Sequence, residues 1–190
     1  MKKSVVWYHR NLNKYIILVL TPIMLLSCAT VHHIRNLTGD ASLILSGETR
    51  QKISRLRRDL AALDHNIDES EAGKLAETSI DYSLFLADEY RLVRPPFLHN
   101  ILVRLGIKNR GLCYHWTEDL MERLNSLELK SFSLHTGVAY RGSDLREHNS
   151  VVVTARGQRF AEGIVLDPWR NSGNLYWIHV SADRYPWEER

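Results

Sequence analysis

RGLCYHW, residues 110–116, is the stretch that decides how this sequence folds. Gly111 allows the chain to turn sharply, and the residues after it read as the first turn of a helix. Cys113 is therefore expected where a helix begins. The free backbone N–H groups and the dipole of a helix N-terminus stabilise a thiolate, which is the nucleophilic form of cysteine. Cys113 is thus the candidate nucleophile.

Two later segments supply the partners that such a nucleophile needs. EHNSVVV, residues 147–153, places His148 at the start of an apolar strand, and GIVLDPW, residues 163–169, places Asp167 at the end of another. If the two strands are antiparallel neighbours, these ends fall at the same edge of the sheet. The imidazole would act as base and then as acid, and the carboxylate would fix the orientation of its ring. The sequence therefore predicts a triad of Cys113, His148 and Asp167.

The residues before this triad predict helices. Apolar side chains recur every three or four residues, and the Pro95-Pro96 pair stops the second helix. We expect these helices to support a core rather than to form a membrane or partner surface. The predicted helices span residues 42–63, 71–93, 97–105 and 113–124.

The residues after the nucleophile helix predict strands separated by turn signals. The fold class is therefore α+β, with N-terminal helices packed against an antiparallel sheet. A single domain is expected over residues 42–190, helical over 42–125 and mainly strands over 129–180. The individual strands are predicted at residues 129–140, 151–153, 160–166 and 175–180.

The N-terminus has the pattern of a targeting segment. Basic residues precede the apolar stretch at residues 15–26, which is shorter than the about 20 residues of a spanning helix. The stretch ends in LLSC, which resembles a bacterial lipobox. That resemblance implies a signal peptide over residues 1–27, a lipidated Cys28 and a tether over residues 28–41. Ala29 after the cysteine favours the outer membrane, facing the periplasm. The alternative is an uncleaved anchor helix.

Charge and cysteine content narrow the function classes. The chain carries +3, but the leader holds four of its 25 Lys and Arg and none of its 22 Asp and Glu, so the remainder carries −1. With no basic patch interleaved with aromatics, nucleic acid is not an expected partner. Lipidation of Cys28 leaves Cys113 as a single thiol, either reactive or a buried, inert core residue. No cofactor is expected. Cys113 with His115 lacks the further ligands of a metal site, and His32-His33 in the tether lack ligand spacing.

The three motifs together resemble the transglutaminase-like superfamily, which has a papain-like core. The resemblance covers residues 111–169 and rests on Gly-x-Cys-aromatic, a His that opens a strand, and a hydrophobic-Asp-Pro segment. It implies the same three roles for Cys113, His148 and Asp167. The chain has Tyr114 where many members have Trp.

Other residues are weaker candidates at the same site. The backbone N–H of Cys113 is an expected oxyanion donor, and Asn109 is a candidate for the second. Tyr114 and Trp169 are expected to line the cleft or cover the imidazole. His135 is a rival base on the preceding strand, whereas His115 diverges from Cys113 on the helix and is expected to be structural or to line the cleft.

These residues predict a lipid-anchored cysteine hydrolase of the cell envelope, a peptidase or amidase, or an acyltransferase working through a thioester. Bacterial members of the superfamily that it resembles are commonly peptidases, which favours hydrolysis. The expected substrate is an envelope protein or the peptide part of peptidoglycan. The alternative is a non-catalytic envelope lipoprotein that uses the same fold as a binding module. A third reading is an envelope scaffold whose helical first half carries the function.

Overall fold

The computed structural model of this chain describes residues 46–190. The predicted signal peptide, the tether and Cys28 lie outside these residues. Cys113, His148 and Asp167 all fall within one compact unit, Thr49–Arg190. No helix in the described part has the length and apolar character needed to cross a bilayer.

The described residues form an α+β fold of four helices and one five-stranded antiparallel sheet. The helices are α1 (46–61), α2 (Glu69–Glu89), α3 (Pro96–Arg104) and α4 (Cys113–Asn125). The strands are β1 (Phe132–Ala139), β2 (His148–Ala155), β3 (Ile164–Asp167), β4 (Tyr176–His179) and β5 (Trp187–Glu189).

The strand order β4-β3-β2-β1-β5 places β2 at the centre of the sheet. Val151, Val152 and Val153 are fully buried there, because both faces of the central strand are covered. One face packs with α1, α2 and α4 around Leu75 and Leu120. The other face packs on the C-terminal segment. A central strand covered on both sides reads as a continuous apolar run, which is what VVV shows.

The sheet differs from its sequence prediction in two places. Residues 160–162 form a 3-10 turn and not strand, and β3 begins only at Ile164. Gly163 closes that turn by donating its N–H to the Phe160 carbonyl. The edge strand β5 was not predicted, because Trp187–Glu189 is too short to show a period.

The helices also depart from their prediction. α2 ends at Glu89, with Tyr90 as its C-cap, rather than at residue 93. The expectation that the helices support a core is wrong for α3, whose only buried residue is His99.

Candidate active site

A hydrogen-bonded turn places Cys113 at the first residue of α4. Gly111 has φ of +118°, a conformation that favours glycine, and a Cβ there would run into the ring of His99. Nδ1 of His115 accepts the backbone N–H groups of Gly111 and Leu112, each at 3.2 Å. His115 therefore serves the helix start as a structural acceptor, as the sequence suggested, and its Nδ1 is occupied by these two hydrogen bonds.

His148 and Asp167 meet at one edge of the sheet. Val151 of β2 pairs with Leu166 of β3, so the start of β2 and the end of β3 fall together. Nε2 of His148 donates to Oδ2 of Asp167 at 2.7 Å. Both side chains are buried, which shields this pair from water.

The thiol of Cys113 and the same imidazole are close enough to interact electrostatically. Because Nε2 of the ring is committed to Asp167, Nδ1 is the nitrogen left for sulfur. The structure therefore brings together all three residues of the predicted triad, in the order thiol, imidazole, carboxylate. A pure binding module would be expected to have His148 turned away from Cys113. That is not the arrangement in this structure.

Asn149 is a further neighbour of the sulfur that the sequence did not single out. Its Nδ2 lies 3.9 Å from Sγ of Cys113, and the Glu147 carbonyl oxygen lies at the same distance. Oδ1 of Asn149 is buried without a hydrogen-bond partner among the described residues. The amide thus directs its donor to the sulfur and leaves its acceptor unpaired, which carries a cost in stability. The only sequence signal for Asn149 is its place beside His148.

The electrostatics favour an ionised pair of thiolate and imidazolium. Burial alone would raise the pKa of Cys113, but His148 and then Asn149 outweigh it, and the pKa falls below its ordinary value. Burial would likewise lower the pKa of His148, but Asp167 and Cys113 raise it to about 9. Both shifts therefore favour the form with the proton on the imidazole and the negative charge on sulfur.

Asp167 is itself held by the guanidinium of Arg170, which also binds the carboxylate of Asp183. Nε of Arg170 donates to Oδ2 of Asp167 at 3.0 Å, and Nη2 of Arg170 donates to Oδ2 of Asp183 at 2.8 Å. Burial would raise the pKa of Asp167, but His148 and Arg170 keep it below its usual range. Sequence reasoning missed both Arg170 and Asp183, because only the fold brings residues 167, 170 and 183 together.

Aromatic rings enclose the imidazole. The centroids of Trp169, Tyr185 and Trp187 lie 4.8, 5.7 and 5.6 Å from that of His148. Nε1 of Trp187 also donates to Asp183 at 2.9 Å. Trp169 therefore covers the ring as the sequence suggested, and the C-terminal segment supplies the other two walls.

Cys113 and His148 open onto a cleft of about 430 Å³. Tyr114 and Trp169 line it, together with Asn100, Arg104 and Arg146. Polar and aromatic groups therefore line the cleft that holds the sulfur.

Asn109 does not line this cleft. It lines a separate depression beside Tyr90 and Lys108. Asn100 is the amide found at the cleft instead. Its Oδ1 accepts the indole N–H of Trp169 at 3.1 Å, and since an indole nitrogen only donates, Nδ2 is left as a donor without a described partner.

The rival base His135 is engaged elsewhere. It pairs with Val152, four residues along β2 from His148, or about 13 Å at strand spacing. Its two ring nitrogens hydrogen-bond Glu189 and Thr154.

No group of three or more His, Cys, Asp or Glu side chains within residues 46–190 is arranged to hold a metal ion. Comparison with protein-family models, curated proteins and solved structures finds no match for this chain. Inference about function therefore starts from the geometry of the cleft itself.

Proposed function

We propose that this chain is a cysteine hydrolase of amide bonds, a peptidase or amidase, with Cys113 as nucleophile, His148 as base and acid, and Asp167 as orienting group. One observation carries the proposal: the buried 2.7 Å hydrogen bond from His148 to Asp167, on an imidazole that also interacts electrostatically with the Cys113 thiol. A structural ion pair needs only the imidazole and the carboxylate. A nucleophile site needs a thiol beside the imidazole as well.

The fold supports the same proposal. The helix that begins with Cys113 packs against the strand that begins with His148, and Asp167 ends the neighbouring antiparallel strand. This is the arrangement that the resemblance to transglutaminase-like proteins, with their papain-like core, implies. We propose that the chain has such a core.

The chemistry follows from the ionised pair. The thiolate forms a bond to the amide carbonyl carbon, and the carbonyl π electrons move onto oxygen. When the tetrahedral species collapses, the C–N bond breaks and the imidazolium of His148 gives its proton to the leaving amine. Water, losing a proton to His148, then attacks the thioester and releases a carboxylic acid and the thiolate of Cys113. An amine in place of this water would make the same site an acyltransferase.

The oxyanion of the tetrahedral species needs two donors. The backbone N–H of Cys113 is one. We propose that Nδ2 of Asn100 is the other, in place of Asn109, because it lines the cleft with an unused donor. Asn100→Ala should then lower kcat by about 10²–10³-fold. Asn109→Ala is the matched control and should leave it unchanged; equal losses in both variants would contradict the assignment.

The setting we propose is the cell envelope. The LLSC motif supports a lipid anchor at Cys28, probed by whether Cys28→Ser releases the protein from the membrane fraction. An outer-membrane anchor would face the enzyme to the periplasm, where an envelope protein or the peptide part of peptidoglycan would be its substrate.

The decisive experiment is alkylation of Cys113 by iodoacetamide across pH. The full chain carrying Cys28→Ser has Cys113 as its single thiol, so mass spectrometry reads one site. We expect the thiol of Cys113 to titrate at a pH below about 8.5, the pKa of a free thiol. His148→Ala should return the titration towards that value.

Turnover is measured in parallel on peptidoglycan fragments and envelope peptides. Cys113→Ser, which keeps the shape of the side chain, should abolish it. The proposal fails if the thiol of the parent titrates near 8.5 and Cys113→Ser loses no activity.

A further inference from the structure

α3 is held to the protein by a polar contact on one side. His99 is fully buried, accepts the Val93 N–H at its Nδ1 and lies 2.8 Å from the Arg110 carbonyl oxygen through its Nε2. Since successive residues of a helix are about 100° apart, Phe97, Ile101 and Leu105 lie on the opposite side of α3.

That opposite side is apolar and exposed. Five of the nine large hydrophobic side chains that are exposed within residues 46–190 fall between residues 97 and 107. Concentration of most such side chains in so short a segment indicates a binding surface, whereas scattered ones do not. We call these five the α3 stripe; they are Phe97, Leu98, Ile101, Leu105 and Ile107.

The stripe lies in a segment with only positive charges. Residues 90–117 contain five Lys and Arg and no Asp or Glu, a local excess that the −1 of the chain after its leader conceals. Arg110 is paired with Asp119, and the Lys108 ammonium donates to a backbone carbonyl. The guanidinium groups of Arg91, Arg94 and Arg104 have no ion-pair partner among the described residues.

We propose that the α3 stripe docks on the surface of an anionic lipid bilayer. Apolar side chains flanked by Lys and Arg are the composition of interfacial helices, which bury the former below the headgroups and pair the latter with anionic lipid. This surface differs from the predicted lipid anchor, and the inference does not depend on catalysis.

A bilayer fits this surface better than other occupants. A stable protein interface takes about 20–30 residues a side with matched shape, whereas five side chains suffice for shallow insertion into lipid. Single-stranded nucleic acid needs aromatic stacking platforms, and four of the five stripe residues are aliphatic.

Docking would also orient the cleft. Asn100 and Arg104 lie on the flank of α3 next to the stripe, and both line the cleft. A bilayer under the stripe would therefore leave the cleft opening alongside the membrane surface, towards substrates presented there.

The test is quenching of a new tryptophan by lipids with brominated acyl chains. The full chain carrying Ile101→Trp is reconstituted in equimolar phosphatidylglycerol and phosphatidylcholine vesicles, and the signal of the unsubstituted chain is subtracted. Phe85→Trp is the matched control, because Phe85 is 51% exposed and Ile101 48%, but Phe85 lies on α2. We expect quenching and a blue shift for Ile101→Trp and neither for Phe85→Trp.

Charge dependence gives the second arm. Arg94→Gln with Arg104→Gln should lower the ratio of docked to undocked protein by up to about thirtyfold. The matched control, Arg50→Gln with Arg55→Gln, removes the same charge from α1 and should change it little. Salt at 1 M should also reduce quenching.

Equal quenching of the Ile101→Trp and Phe85→Trp proteins, or none in either, would overturn the proposal. Quenching that is the same in pure phosphatidylcholine would overturn its anionic part. Neither result bears on alkylation of Cys113, so the two proposals fail separately.

Discussion

The edge of the sheet that carries His148 and Asp167 contrasts with α3, although both line the same cleft. At the sheet edge, charged groups are buried or half-buried and each has a partner, in a chain that runs from His148 through Asp167 and Arg170 to Asp183. On α3, His99 is buried, whereas the apolar side chains of Phe97, Leu98 and Ile101 are exposed. The usual division of inside and outside is inverted in both.

Each inversion has a cost, and the two costs point to different functions. Removing two ionisable groups from water completely and two in part is unfavourable unless their geometry is good, so this network points to a site where ring orientation matters. Exposed apolar area is instead tolerable in water and favourable against a second surface. One region positions groups, and the other is available for binding.

The largest effect that would break this contrast is expected from Asp167→Asn. Loss of the carboxylate removes the group that fixes the tautomer of His148, so kcat should fall by about 10⁴-fold, as in hydrolase triads. The measurement is single-turnover acylation of Cys113 by a substrate peptide. Asp59→Asn, at an exposed carboxylate that contacts Trp177, is the control and should keep full activity. A loss below tenfold for Asp167→Asn would show that the carboxylate is only structural.

Gly111→Ala probes the junction of the two regions. A Cβ at this position meets the ring of His99 and the backbone has φ of +118°, so we expect a loss of about 2–5 kcal/mol in the free energy of unfolding. Gly106 also has a positive φ, of +72°, but open space around it, so Gly106→Ala should cost only about 1–2 kcal/mol. Urea denaturation compares the two. Equal costs would mean that His99 does not hold α3 against the Cys113 turn.

The pH profile sharpens the account of the sheet edge. In the proposed mechanism the reactive form is the pair of thiolate and imidazolium, and the pKa of His148 is raised to about 9. The rate of acylation should therefore be flat through neutral pH and fall about tenfold per unit above pH 9, as the imidazolium loses its proton.

The raised pKa of His148 also makes the free energy of unfolding depend on pH. The folded state holds the proton of His148 more tightly than the unfolded chain does. This group therefore stabilises the fold at low pH, and its stabilisation is lost as pH rises through about 9.

Measurement of kcat/KM from pH 5 to 10.5 checks the expected fall in the acylation rate. A fall centred near 6.5 would indicate an imidazole outside the influence of Asp167.

The smallest effect is expected on the exposed side of α3. Ile101→Ser should change the free energy of unfolding by no more than about 0.5 kcal/mol, because the side chain is half exposed. Leu75→Ala in the core should cost about 2–5 kcal/mol. Thermal denaturation of both variants is the measurement. A large loss for Ile101→Ser would mean that the stripe packs within the fold.

Sequence reasoning predicted the α+β class because its signals are local. Periodic apolar residues marked α2 and α4, and the VVV run marked the central strand. The error at residues 160–166 has a local cause as well. An apolar stretch interrupted by Gly163 is ambiguous between strand and turn, and only the hydrogen bond from Gly163 to Phe160 resolves it.

The candidate site was only half visible in the sequence. Cys113, His148 and Asp167 each begin or end an element, so a pattern could find them. Asn100, Arg170 and Asp183 have no such signal, because their roles depend on which segments the fold brings to the sheet edge. Asn109 was a wrong guess about which amide faces the cleft: proximity in sequence to Cys113 did not place it there.

The sequence by itself determined the element types and the three chemical groups, since apolar period, glycine turns and residue chemistry are properties of short segments. Only the tertiary structure decided that His148 hydrogen-bonds Asp167 and interacts with Cys113, and that α3 turns its apolar side outwards. The physical reason is that pKa values and burial depend on neighbours from distant segments, and no short stretch of chain contains its own neighbours.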